Sequence, residues 1–126
     1  MPRSPIPAAD YRLFAEGHCA VLAAALHERT GWPLVVESDP LPGRLDPTRV
    51  RHVWVLNPAH RAVDIGGVHP WGVGEVCNPN DLGQTQQVSL THLRRLQAEA
   101  FACAKAGRRA QALLNHHQNF FGLRPG

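Results

Sequence analysis

The chain has 126 residues, room for one hydrophobic core and not for two ordinary domains, which excludes a multidomain assembly. It is 44% hydrophobic and 18% charged, with 11 Gly and 11 Pro, a balance that fits a compact fold with long loops and excludes a disordered tail or a coiled coil. Thirteen Lys and Arg against ten Asp and Glu give a net charge of +3. The densest basic pairs, Arg94-Arg95 and Arg108-Arg109, are not interleaved with aromatic residues, so the sequence shows no nucleic-acid-binding stripe.

Residues 1–9 form a proline-rich lead-in, and Asp10 is placed to cap a short helical turn through Tyr11, Leu13 and Phe14. After Gly17, the run CAVLAAALHER from Cys19 to Arg29 carries apolar residues around nearly its whole circumference, the mark of a helix buried on all sides. Gly31, Trp32 and Pro33 end it. Leu34 to Glu37 is strand-like, and SDPLPGRLDPT after it reads as a loop. VRHVWVL (Val50 to Leu56) and RAVDIGG (Arg61 to Gly67) then read as the two strands of a hairpin joined by Asn57, Pro58, Ala59 and His60.

The segment from Val68 to Leu82, rich in Gly and Pro, reads as an ordered surface loop. From Gln84 to Gln118 the pattern turns helical, with Leu90, Leu93, Leu96, Ala100, Phe101 and Ala104 at helical intervals, Ser89 or Thr91 as cap and Gly107 as a dividing point. The whole is one α+β domain over 1–126, with the chemistry expected within 14–67 and a helical C-terminal part over 84–121.

Cys19, Cys77 and Cys103 form no CxxC pair and cannot all be joined within one chain, which favours a reducing compartment. MPRSPIPAAD lacks the apolar run of a signal peptide, and the longest apolar stretch, Cys19 to Leu26, is too short to span a bilayer. A soluble, cytoplasmic protein with no membrane partner is therefore expected. Delivery to another cell by a route that needs no signal is compatible with this.

Cys19 opens the buried helix, where free backbone N–H groups and the positive end of the helix dipole stabilise a thiolate and can hold an oxyanion. Taken singly it is also an ordinary small apolar residue. His52 lies on the strand VRHVWVL, on the same strand face as Trp54 and Leu56. If Asn57 opposes Arg61, His52 stands opposite Gly66 and Asp64 becomes its diagonal neighbour, roughly 7–8 Å away at the backbone. This requires a hairpin loop with an odd number of residues, because a shift by one turns Asp64 to the other face. Together the three supply a nucleophile (Cys19), a general base and acid (His52) and a carboxylate that fixes the imidazole tautomer (Asp64).

The order of a cysteine opening a helix in GHCAVLAAAL, a histidine in HVWVL and an aspartate in AVDIGG resembles the papain-like cysteine hydrolase superfamily in its transglutaminase-like branch. The resemblance spans about Phe14 to Gly67. It implies a small papain-like fold, a Cys19-His52-Asp64 triad and acyl transfer on amides or thioesters of a protein or peptide substrate: proteolysis, glutamine deamidation or cross-linking. This chemistry needs no cofactor and no metal. A lone domain of this size is compatible with an effector.

Secondary candidates are His18, placed to line the cleft, and Trp54, placed to wall it. Gln84, Gln86 and Gln87 form a polar patch that could assist an oxyanion. A second class is zinc binding through His52, His60, His69, Cys77, His92, His116 and His117, although no HExxH or CxxC spacing is present. A third is a non-enzymatic interaction module, of inhibitor or immunity type, presenting Phe120 and Phe121.

Overall fold

The computed structural model describes residues 4–39, 49–71 and 84–123. They form an α+β domain with helices α1 (Ala8–Ala15), α2 (Cys19–Thr30), α3 (Leu90–Leu96), α4 (Ala98–Phe101) and α5 (Ala104–His116). The strands are β1 (Leu34–Ser38), β2 (Val50–Leu56), β3 (Ala62–Asp64), β4 (Gly67–Val68) and β5 (Gln84–Val88). They make one five-stranded antiparallel sheet in the order β4-β3-β2-β1-β5. Among the described residues, no helix is long and apolar enough to cross a membrane.

The central helix follows from its sequence. Seven consecutive residues, Ala20 to Leu26, are buried, which is possible only where protein surrounds the helix. α2 packs on β2 from one side and on α1, α4 and α5 from the others. Small alanines permit this close approach, while Leu22 and Leu26 each contribute about 1.5–3 kcal/mol by burial. Gly31 stops the helix in the left-handed conformation, at φ 78°. His27 then donates from Nδ1 to the Trp32 carbonyl at 2.8 Å and holds the exit.

Alternation along the strands creates two apolar faces. Leu34, Val36, Val53, Val55 and Val63 turn to the helices, where Phe14, Leu113, Leu114 and Phe121 complete the main core. Val35, Trp54, Leu56 and Ala62 form a second cluster, joined by Trp71. Phe121 is fully buried and Phe120 packs beside it, so the aromatic pair anchors its own chain and is not presented as a partner face.

Several local expectations are corrected. Asp10 does not cap α1: Pro7 holds the N-cap position, and Asp10 is buried within the first turn, gripped by Arg109 of α5 at 2.9 and 2.7 Å. That pairing lowers the Asp10 pKa. The run from Arg61 to Gly67 is not one strand but two, β3 and β4, reversed at Ile65-Gly66.

Gln84 to Val88 is a strand and not the start of a helix, because β1 offers a free edge that its backbone completes; tertiary pairing overrides the modest helix preference of glutamine. Ser89 caps α3 by accepting from the His92 N–H, as the sequence indicates. The helical run breaks at Gln97 and at Ala102-Cys103, whereas Gly107 lies inside α5. Most of the two predicted loops, residues 40–48 and 72–83, lies outside the described residues.

Candidate functional site

The β2–β3 hairpin has the register that the site requires. Val55 pairs with Val63 and Leu56 with Ala62, and the Asn57 N–H donates to the Arg61 carbonyl at 2.9 Å. Three residues, Pro58 to His60, are left in the loop, an odd number. Asn57 sets this turn by accepting from the Ala59 and Arg61 N–H groups, each at 3.0 Å, and His60 takes the left-handed conformation at φ 62°. Extending the register by one residue sets Asp64 across from Trp54 and so diagonal to His52 on the same face; Gly66, expected opposite His52, lies instead in the turn after β3.

The two side chains meet there. His52 Nε2 donates to Asp64 Oδ2 at 2.6 Å, the short distance of a charge-assisted bond. Asp64 is 8% exposed. Burial alone pushes its pKa up, but hydrogen bonds from His52 and His69 and the charges of both rings outweigh that and hold the carboxyl well below its usual range.

For His52, burial is the largest single influence and acts to lower the pKa. Hydrogen bonding to Asp64 and to Cys19, with the charges of both, overcomes it and raises the pKa from 6.5 to about 10. Since Nε2 is committed to Asp64, Nδ1 is the ring atom left for the thiol. Cys19, a free and half-buried thiol, is the first residue of α2. The structure thus brings Cys19, His52 and Asp64 together from a helix start and two adjacent strands.

Sequence reasoning missed two neighbours. His69, a zinc candidate by its sequence, donates from Nε2 to the second oxygen of Asp64, Oδ1, at 2.6 Å. The Gly66 N–H donates to the same Oδ1 at 2.8 Å. The available signal was the second reversal: β3 and β4 pair Val63 with Val68 and Asp64 with Gly67, which sets His69 opposite Ala62 and diagonal to Asp64. Glu37 is the other, buried at 2% exposure and directly across from His52 on β1.

The secondary candidates fare differently. Trp54 is fully buried, its ring 5.6 Å from that of His52 and 5.0 Å from that of Trp71; it backs the histidine and offers no surface for a substrate. His18 occupies the N-cap position of α2 without capping it, and borders a groove with Asp10, Arg12, Lys105 and Arg109, between α1 and α5. Gln84, Gln86 and Gln87 stand on the edge strand β5, separated from His52 by β1, and are exposed; this places them away from Asp64.

Among the described residues, no group of three or more His, Cys, Asp and Glu side chains is arranged to hold a metal ion. Cys77 lies outside the described residues. No family model matches the chain, no curated protein matches it, and no solved structure matches it.

Proposed function

We propose that the protein is a cysteine-dependent amide hydrolase or acyltransferase of papain-like type, in the transglutaminase-like branch, acting on a protein or peptide substrate. One observation carries this reading: His52 is bound through Nε2 to a buried carboxylate while its basicity also responds to Cys19. A histidine serving only the core has no need of both partners. The cysteine-bearing helix laid against an antiparallel sheet is the arrangement that a papain-like reading requires.

With a pKa of about 10, His52 is protonated at neutral pH, and a cation beside a cysteine favours its thiolate. The thiolate of Cys19 attacks the amide carbon. A C–S bond forms and the carbonyl π pair moves to oxygen. The N–H group of Cys19, half-buried at the first turn of α2, is available to that oxyanion. As the intermediate collapses, the C–N bond breaks and the departing nitrogen takes the proton from His52 Nδ1, releasing ammonia or an amine.

Water, or an acceptor amine, then gives a proton to the neutral His52 as it attacks the thioester. The C–S bond breaks, and the thiolate–imidazolium pair is restored. Asp64 keeps the ring in the tautomer that leaves Nδ1 for these transfers. Protein glutamine deamidation and peptide cleavage are the reactions this sequence of steps fits best.

The test is alkylation by iodoacetamide at neutral pH, followed residue by residue. Cys19 is expected to react well before Cys77 and Cys103, and His52→Ala to slow Cys19 by roughly tenfold or more. Equal reactivity of the three cysteines, or a Cys19 rate indifferent to His52, would defeat the proposal.

A further inference from the structure

We infer that His69 is a positioning residue of this site, a donor that locks the Asp64 carboxylate so that its other oxygen stays aimed at His52. The inference rests on the triad reading and adds a fourth member to it.

A carboxylate attached through one rotatable bond needs more than its working partner to stay in place. Asp64 has that support: Oδ1 accepts from His69 Nε2 at 2.6 Å and from the Gly66 N–H at 2.8 Å, leaving Oδ2 to His52. His69 is in turn held on two counts. Its backbone N–H donates to the Ala62 carbonyl of β3 at 2.8 Å. Its ring stacks on Trp71 with centroids 4.7 Å apart and planes 22° from parallel. Trp71 meets Trp54 edge-on, and Trp54 touches the His52 ring.

The contacts therefore close a circuit from Asp64 through His69, Trp71, Trp54 and His52 back to Asp64. Motion of one histidine ring is opposed by the seat of the other. His69 is also the more open of the two, its side chain 25% exposed against 14% for His52, so it stands on the solvent side of the carboxylate. The room is tight: a Cβ on Gly66 would come within 3.0 Å of His69 Cε1 and 3.2 Å of Asp64 Oδ1.

Two substitutions separate donation from packing. His69→Phe keeps a ring for Trp71 and removes the donor; His69→Gln loses the stack and keeps an amide N–H near the Nε2 position. The readout is the pH profile of Cys19 alkylation by iodoacetamide, in the full chain, beside His52→Ala and with near-UV circular dichroism as a check on folding. The groups that bear on this profile are Cys19, His52, Asp64, His69 and Glu37.

His69→Phe is expected to slow Cys19 by roughly tenfold at neutral pH and to move the acid limb of the profile upward, because Asp64 loses a donor that favours its charged form. His69→Gln should remain within about threefold of the parent. The reverse pattern, with Phe active and Gln impaired, overturns the inference in favour of packing. Parent-like rates in both variants overturn it as well, while the His52→Ala effect would leave the triad standing. No effect of His52→Ala would remove the triad and this inference together. If His69→Phe does not fold, His69→Asn, too short to reach Oδ1, takes its place with the same expected loss.

Discussion

His52 and Asp64 are joined across a β-hairpin by a 2.6 Å bond between Nε2 and Oδ2, with Asp64 almost wholly buried. The bond commits Nε2 and leaves Nδ1 as the ring nitrogen open to another partner. Asp64→Asn tests this directly, since it preserves shape and removes the charge. The His52 pKa should fall from about 10 toward its ordinary value, and Cys19 alkylation at neutral pH should slow by about tenfold to a hundredfold. The pH profile of labelling checks both. An unchanged profile would mean that the carboxylate does not govern the histidine.

The same pair makes stability depend on pH in a defined direction. The folded pKa of His52 lies above its ordinary 6.5, so its contribution is complete below about pH 6.5 and disappears as pH rises through about 10. The Asp64 pKa lies below its ordinary 3.8, so its contribution is present above about pH 4 and lost on acidification. Chemical denaturation of the parent and of His52→Gln, compared at several pH values, should show the largest difference between about pH 4 and 6.5. That difference should shrink steadily toward pH 10. A gap that widens with alkali would contradict the ion pair.

Asn57 determines the parity of the hairpin through two hydrogen bonds of 3.0 Å. Asn57→Ala should cost about 1 kcal/mol, read as a fall in melting temperature of about 4 °C. Inserting one glycine between Ala59 and His60 is the sharper experiment. If the added residue is absorbed by shifting β3, Asp64 turns to the opposite face and Cys19 should lose the reactivity proposed for it. If the loop bulges and the register holds, the reactivity persists, and cross-strand nuclear Overhauser contacts between Val55 and Val63 report which of the two has occurred.

Gly67 pairs with Asp64 at φ 92°, and a Cβ there would lie 3.1 Å from the Phe120 ring and 3.2 Å from its carbonyl oxygen. The carbonyl belongs to the backbone and cannot move aside cheaply. Gly67→Ala should therefore destabilise the fold by about 1–3 kcal/mol, measured by denaturant titration. Gly107→Ala is the control: its Cβ meets nothing within 4 Å, and in the interior of α5 it should stabilise by roughly 0.5–1 kcal/mol.

The buried helix from Cys19 was legible because seven consecutive buried residues leave no polar stripe to read otherwise, and the alternation in VRHVWVL placed His52 and Trp54 on one face. The hairpin itself was legible from two β-prone runs around Asn57 to His60, while the bonds of the Asn57 side chain that set its parity appear only in the structure. These features depend on near neighbours in the chain.

What the tertiary structure decided were the relations among distant segments. β5 is a strand only because β1 presents an unpaired edge, and Gln84 to Val88 carries little of the apolar alternation that would announce it. Asp10 lies inside the first turn of α1 and not before it, and Arg109, far along the chain, holds its carboxylate. The bond from His69 to Asp64 was not legible because the run from Arg61 to Gly67 reads as one strand, and a strand that does not turn back cannot bring a second histidine to Asp64. Local patterns specify which face a residue occupies; only the folded sheet specifies which faces meet, because backbone pairing is indifferent to side-chain identity and goes where an edge is open.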